Sequence, residues 1–241
     1  EEFTNPKTRL LFKNIVYVGA LSYLLGMDKK IYETLIAEQF KGKEKLIAPN
    51  IMALNIGYDY ASENLEGSCE IKVNKSEKTK GMILTSGNDA SGLGCVYGGA
   101  TVCSWYPITP STSLAEAFTD YSEKLRIEES TNKNKYAIIQ AEDELAAIGM
   151  AIGANWNGAR AFTATSGPGI SLMSEFLGLA YFAEVPLVVF DIQRGGPSTG
   201  MPTRTQQSDV LSCAYASHGD TKHVLLIPSH PKECFEFAAE A

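Results

Sequence analysis

Apolar positions along the 241 residues follow two successive patterns. In the first, Leu11, Ile15, Val18, Leu21, Leu24 and Leu25 recur at helical spacing, and IYETLIAEQF (31–40) resumes it after a break at Gly26 to Asp28. A third helix is predicted around NIMALNIGYDYA (50–61). From Asn64 to Lys80 the chain turns charged and short of large apolar groups, which reads as a linker and sets a domain boundary.

From Gly81 onward, short β-type runs alternate with helical patterns. Strands are predicted at MILT (82–85), ATVCSWY (100–106), YAIIQ (136–140), RAFTATS (160–166), PLVVFDI (186–192) and HVLLI (223–227). Helices are predicted over SLAEAFTDYSEKL, EDELAAIGMAIGANW, GISLMSEFLGLAYFAE and SDVLSCAYAS, with capping-box spacing of Ser113 and Glu116 at the start of the first. Strand–helix alternation implies an α/β fold, a mostly parallel sheet covered by helices on both faces, preceded by a short, mainly helical segment. The predicted segments are therefore 1–63, the linker 64–80, and the α/β domain 81–241.

Composition changes this picture little. The apolar share, 44%, and charged share, 20%, are those of an ordinary globular protein. A net charge of −7 argues against nucleic acid as a partner. The five cysteines are scattered and odd in number, so they read as inert thiols of a reducing cytoplasm, not as a disulfide framework or a metal site. IVYVGALSYLLGM (15–27) is too short to span a bilayer, so no membrane role and no signal peptide are expected. A start at Glu1 without methionine leads to the expectation of a chain cut from a longer one.

Ligands of open parallel sheets sit beyond the carboxyl ends of the strands. That rule selects Thr109 between two prolines, Glu142 past the tip of 136–140, the TSGPG turn with Thr165 and Ser166, and Arg194 at the end of VPLVVFDIQR. Each has a plainer explanation. Acids in a first helical turn complement its dipole, which accounts for at least two of Glu142, Asp143 and Glu144. TSGPG and YPITP could be punctuation, and Arg194 half of a structural ion pair. Gly87 to Gly92 has phosphate-loop spacing without the following Lys, and Ser166 lacks the glycine a nucleophile elbow needs. Neither an ATPase nor a serine hydrolase is supported.

Four stretches together, WYPITPSTS (105–113), QAEDELAAIGMAIGA (140–154), TATSGPGISLMSE (163–175) and VVFDIQRGGPSTGMPT (188–203), resemble the α subunit of 2-oxoacid:ferredoxin oxidoreductases. The earlier FKNIVYVGALSYLLGMDKK, with Asn50 and Gly57, resembles the end of that family's γ domain, fused ahead of α in some members.

The resemblance implies the pyrimidine-binding half of a thiamine pyrophosphate site. The β subunit would hold the diphosphate, Mg2+ and a [4Fe-4S] cluster. By the same resemblance Glu142 pairs with N1′ of the aminopyrimidine, Pro107, Ile108 and Thr165 border the cofactor, and Thr109, Ser166 and Arg194 meet the substrate. The implied reaction is oxidative decarboxylation of a 2-oxoacid with CoA, electrons leaving to ferredoxin, in a dimer of α/β units in the cytoplasm. The QRGGPSTG version, with the fused γ domain, looks most like enzymes acting on 2-oxoglutarate. Pyruvate or branched-chain 2-oxoacids, another thiamine-dependent reaction, and a catalytically silent paralogue are the competing readings. Arg204 is either a partner for a distal substrate carboxylate or a solvated loop cation.

Overall fold

The computed structural model describes residues 6–204 and 206–241. Residues 1–5, at the start of the predicted segment 1–63, and Thr205, in the sequence after Arg194, lie outside the described residues. The chain divides into two compact units, Glu1–Ile83 and Leu84–Ala241.

The first unit is helical: α1 (Pro6–Leu24), α2 (Lys29–Gln39), a short 3-10 turn (Glu44–Leu46) and α3 (Ile47–Asn64). Asp28 ends the predicted break by capping α2, its carboxylate accepting from Lys30 N–H at 3.0 Å. α1 and α3 cross with their backbones nearly in contact. A Cβ at Gly19 would overlap the Leu54 carbonyl, and one at Gly57 the Val16 carbonyl. Tyr23 and Tyr58 meet edge to face at 5.3 Å beside this crossing. Residues 65–83 carry no helix or strand.

The second unit runs α4 (Gly87–Tyr97), β1 (Val102–Trp105), α5 (Thr112–Leu125), a small antiparallel pair β2 (Ile127–Glu128) and β3 (Lys133–Asn134), then β4 (Ala137–Gln140). It continues with α6 (Glu144–Trp156), β5 (Ala161–Thr165), α7 (Gly167–Phe182), β6 (Val188–Asp191), α8 (Val210–Tyr215) and α9 (Pro231–Glu240). The sheet is parallel, in the order β4-β1-β5-β6.

Alternation along the strands explains the two covered faces. Cys103, Phe162 and Ala164 point to α4 and α5, where Phe118 meets Phe162 edge to face at 4.9 Å. The opposite face packs Ile148, Ile152 and Met173 of α6 and α7 against Val189. Ser104 belongs to that second face, donating 2.6 Å to the Ala147 carbonyl. Every residue of β5 is buried, as a central parallel strand requires.

Two predicted strands are absent. MILT (82–85) and HVLLI (223–227) run without ladder partners, with Ile83 85% and Val224 89% exposed. An apolar run makes a strand only where a neighbour satisfies its backbone, and neither run has such a ladder partner among the described residues. Two helices escape the sequence pattern. α4 is built from GNDASGLGCVY, in which Gly92 lies against Ala117 and Phe118 and Gly94 against the Phe235 carbonyl. α9 starts at Pro231, with the His230 ring capping Glu233 N–H. The capping box sits at Ser86 and Asp89 of α4. α5 starts one residue earlier than Ser113, behind Ser111, so Ser113 stands inside the helix and accepts from Asn88 Nδ2 at 2.7 Å.

Candidate functional site

The order of strands dictates where a ligand crevice opens. β1 leads through α5 to β4 on one side, and β5 leads through α7 to β6 on the other. α5 and α7 lie on opposite faces of the sheet. The loops after β1 and β5 therefore part, and the gap between diverging connections is the switch point of a doubly wound sheet. Along that edge stand, in spatial order, Glu142 after β4, Thr109 after β1, Ser166 after β5 and Arg194 after β6.

Arg194 ties the edge together. Its side chain is buried, 5% exposed, and crosses the tip of β5. One terminal nitrogen donates 2.8 Å to the Thr109 carbonyl and the other 2.6 Å to the Thr199 carbonyl. β6 and β1 lie two strand spacings apart, about 10 Å, a reach that suits arginine's long stem and forked head. No acidic side chain forms an ion pair with Arg194 among the described residues, and its Nε is buried without a partner. The structural ion pair is thereby excluded among the described residues.

Ser166 closes β5 and opens α7 as its N-cap, yet its side chain caps nothing. Its Oγ is fully buried with no partner among the described residues. Buried polar groups in folded proteins are satisfied as a rule, so an orphan hydroxyl marks a place where another group can bind. Thr165 is buried beside it, its hydroxyl against Gly169 and 3.5 Å from the Ser166 carbonyl. The N–H groups of the first turn of α7 and its dipole make this spot electropositive in a net acidic chain.

The three acids after β4 separate cleanly. Asp143 caps α6, accepting from Ala146 N–H at 2.7 Å. Glu144 is buried in the first turn of α6, its Cγ within 3.1 Å of where a Gly169 Cβ would stand. Glu142 is exposed and has no hydrogen-bond or ion-pair partner among the described residues. Helix chemistry thus uses two acids and leaves one carboxylate free at the strand tip. Thr109 and Pro107 are exposed, and Ile108 is half-buried, its carbonyl accepting from Ser111 N–H at 2.8 Å. The Thr109–Pro110 peptide is cis. Arg204 is exposed in the loop, without a side-chain partner among the described residues.

Sequence reasoning missed the acidic group beneath Arg194. Asp191, the last residue of β6, is pushed up to about 6 by burial, with the nearby Asp209 charge adding and the Cys213 thiol, 3.4 Å away, opposing. The same burial and the two carboxylates push the Cys213 thiol up to about 12. Burial holds Cys103 up at about 12 and Cys95 higher still, so both are inert thiols. Asp209 accepts from the backbone N–H of Arg194 at 3.2 Å. Nothing in the polar run TRTQQSD marks that aspartate, because its partner is a backbone group reached only through the fold.

Among the described residues no helix is long and apolar enough to cross a membrane, and no three His, Cys, Asp or Glu side chains gather as a metal site.

Residues 93–241 match the family model described as pyruvate flavodoxin/ferredoxin oxidoreductase, thiamine diphosphate-binding. Residues 3–60 match a second, described as pyruvate ferredoxin/flavodoxin oxidoreductase. A 2-oxoacid:ferredoxin oxidoreductase α subunit of Aeropyrum pernix is 39% identical over 95% of this chain and 36% of its own length. The 2-oxoglutarate oxidoreductase subunit KorA of Mycobacterium tuberculosis is 38% identical over 95% of this chain and 34% of its own. The chain thus spans about a third of the length of these relatives. Among solved structures, the 2-oxoglutarate:ferredoxin oxidoreductase of Magnetococcus marinus, with 2-oxoglutarate, coenzyme A and succinyl-CoA bound, superposes with a TM-score of 0.76. It is 36% identical, over 97% of this chain and 40% of that one. A match to the thiamine-binding model across more than half its residues, with relatives this similar along nearly its whole length, means that the chain belongs to the 2-oxoacid:ferredoxin oxidoreductase family, in its thiamine diphosphate-binding α-subunit branch.

Proposed function

We propose that this chain supplies one half of the active site of a 2-oxoglutarate:ferredoxin oxidoreductase, the other half coming from a β subunit. The observation that carries the reading is the ligand edge itself. A carboxylate and a buried hydroxyl without partners, an exposed threonine, and a buried arginine with no acidic partner among the described residues stand on adjacent strand ends at the switch point. The reaction is oxidative decarboxylation: a 2-oxoacid, CoA and oxidised ferredoxin give acyl-CoA, CO2 and reduced ferredoxin. KorA-type relatives and the neighbour holding 2-oxoglutarate and CoA support this substrate over pyruvate or branched-chain acids. We place the reaction in the cytoplasm, in a dimer of α/β units, with Mg2+ and the [4Fe-4S] cluster in β.

The residues fit the pyrimidine half of a thiamine pyrophosphate site, since Glu142 is a carboxylate with no partner among the described residues. When bound, thiamine pyrophosphate supplies the electron sink for decarboxylation. Glu142 holds a proton against N1′ of the pyrimidine, and covering it with a β subunit raises its affinity for that proton. Pro107, Ile108 and Thr165 form the wall beside the ring. Thr109 directs its hydroxyl to the substrate carbonyl. Ser166 Oγ and Arg194 Nε, both buried donors without partners, face the substrate carboxylate; a charge-assisted bond in a dry site is stronger than one on the surface.

The test is the reconstituted α/β enzyme, assayed for CoA-dependent reduction of ferredoxin with a panel of 2-oxoacids. 2-Oxoglutarate should give the highest kcat/KM. Arg194→Ala should raise the 2-oxoacid KM by about tenfold or more, the cost of truncating one partner of a buried charged pair. No 2-oxoacid-dependent reduction, or an Arg194→Ala enzyme with wild-type kinetics, rejects the assignment.

A further inference from the structure

We propose that Asp209 is a positioning residue: its carboxylate fixes the backbone of Arg194 against the first turn of α7, so that the guanidinium meets the substrate carboxylate at one place. The inference deepens the reading of Arg194 given above and rests on it.

Three groups converge there. The Arg194 N–H donates 3.2 Å to Asp209 Oδ2. A Cβ at Gly167 would lie 2.5 Å from that same oxygen and 2.7 Å from the Arg194 carbonyl oxygen. The start of α7, the Arg194 peptide and the Asp209 carboxylate therefore share one contact point, open only because residue 167 is glycine. A carboxylate at that spot is favoured by the positive end of a helix of 16 residues whose N-cap side chain is silent.

The local backbone agrees. Asp209 has φ of +65°, a left-handed conformation that a non-glycine residue keeps only where its surroundings hold it. Its side chain accepts no cap hydrogen bond from α8, so helix capping does not explain the aspartate. Two further bonds close the same neck: Gln193 Nε2 donates to the Ser208 carbonyl, and Gln206 N–H to the Gln193 carbonyl at 3.4 Å. The excursion 195–208 is thereby strapped shut at its base, just beneath the residue whose side chain crosses to Thr109. Of the three straps, only Asp209 grips Arg194 itself.

The experiment uses the reconstituted α/β enzyme with 2-oxoglutarate and CoA as substrates. Asp209→Gly removes the carboxylate while suiting the left-handed backbone better than aspartate does, and Asp209→Asn keeps an acceptor oxygen. Asp209→Gly should raise the 2-oxoglutarate KM about tenfold, the worth of one hydrogen bond to a charged acceptor. Its kcat should stay within about twofold and its CoA KM unchanged, and Asp209→Asn should recover most of the loss. Coupled to Arg194→Ala, Asp209→Gly should add nothing, because the side chain it positions is gone.

A residue serving only the turn gives the opposite result, wild-type KM in Asp209→Gly, and that overturns the proposal while Arg194 keeps its role. Failure of Asp209→Gly to assemble, with Asp209→Asn at wild-type KM and stability, also overturns it, since the side chain would then serve folding. If Arg194→Ala itself leaves the 2-oxoglutarate KM unchanged, the reading of Arg194 falls and the role of Asp209 with it.

Discussion

Glycine is placed at close approaches in both units, to different ends. Where α1 crosses α3, Gly19 and Gly57 let two backbones touch: the atoms a side chain would strike are the carbonyls and amides of Leu54, Tyr58, Val16 and Ala20. At the start of α7, Gly167 and Gly169 admit mainly side chains instead, the Asp209 carboxylate, the Thr165 hydroxyl and the Glu144 stem, with the Arg194 carbonyl oxygen the one backbone atom among them. A backbone in a packed helix cannot yield, whereas a carboxylate or hydroxyl can rotate away. The first pair therefore governs stability, and the second governs where polar groups stand around a helix N-terminus. The same residue type makes one region rigid and makes the other specific.

Gly57→Ala gives the largest effect. Its methyl would overlap the Val16 carbonyl oxygen and lie 2.8 Å from the carbonyl carbon, with helix backbone on both sides. Overpacking a core costs about 1–3 kcal/mol, and more where nothing can relax; a backbone obstacle places this change at about 3 kcal/mol or above. Urea denaturation followed by circular dichroism should show the helical unit unfolding at lower denaturant, with the α/β unit's transition unmoved. A wild-type profile would mean that the helices can part without loss, and the comparison would fail on its structural side.

That contrast was only half legible in the sequence. The four strands of the parallel sheet are visible as short apolar runs, the central β5, buried at every position, being the one a parallel core demands most strictly. The same logic misreads MILT and HVLLI, since periodicity says nothing about whether a neighbouring strand exists. α4 is hidden because GNDASGLGCVY is rich in glycine, which disfavours an isolated helix; its one local start signal is Ser86 with Asp89 three residues on. α9 likewise announces itself by Pro231 at its first turn. At the site, the strand-end rule finds Thr109, Glu142, Ser166 and Arg194, since it needs only the element order. It cannot find the Arg194–Thr109 bond or Asp209, whose partners lie 85 and 15 residues away in sequence.

Asp191 sharpens the functional side of the comparison with a smaller effect. Its carboxyl is held up at about 6, against an ordinary value of 3.8, chiefly by burial at the tip of β6. The fold thus prefers the protonated acid. That preference stabilises fully below about pH 4 and is lost as pH rises through about 6. Asp191→Asn, always neutral, should not suffer the loss. Relative to wild type it should gain on the order of 1–2 kcal/mol between pH 4 and 7, read from urea midpoints of the α/β unit. Parallel pH profiles for the two proteins would show that the carboxyl is not strained by burial. Asp209, whose charge adds to the rise, and Cys213, whose thiol opposes it, face Asp191 and stay in place in both proteins.

The smallest effect tests whether contact, and not glycine itself, carries the argument. Gly153 lies in the last part of α6, is exposed, and a Cβ there meets nothing within 4 Å. Its φ is not in the left-handed region, so alanine fits without strain. Alanine lowers the entropy of the unfolded chain and has the higher helix propensity. Gly153→Ala should therefore stabilise the α/β unit by about 0.5–1 kcal/mol, opposite in sign to Gly57→Ala, and leave the kinetics of the α/β enzyme unchanged. A destabilised Gly153→Ala protein would show that contact distance does not decide what glycine does, and the comparison would fail. A gain in stability ties the role of glycine to the places where another group comes within contact distance.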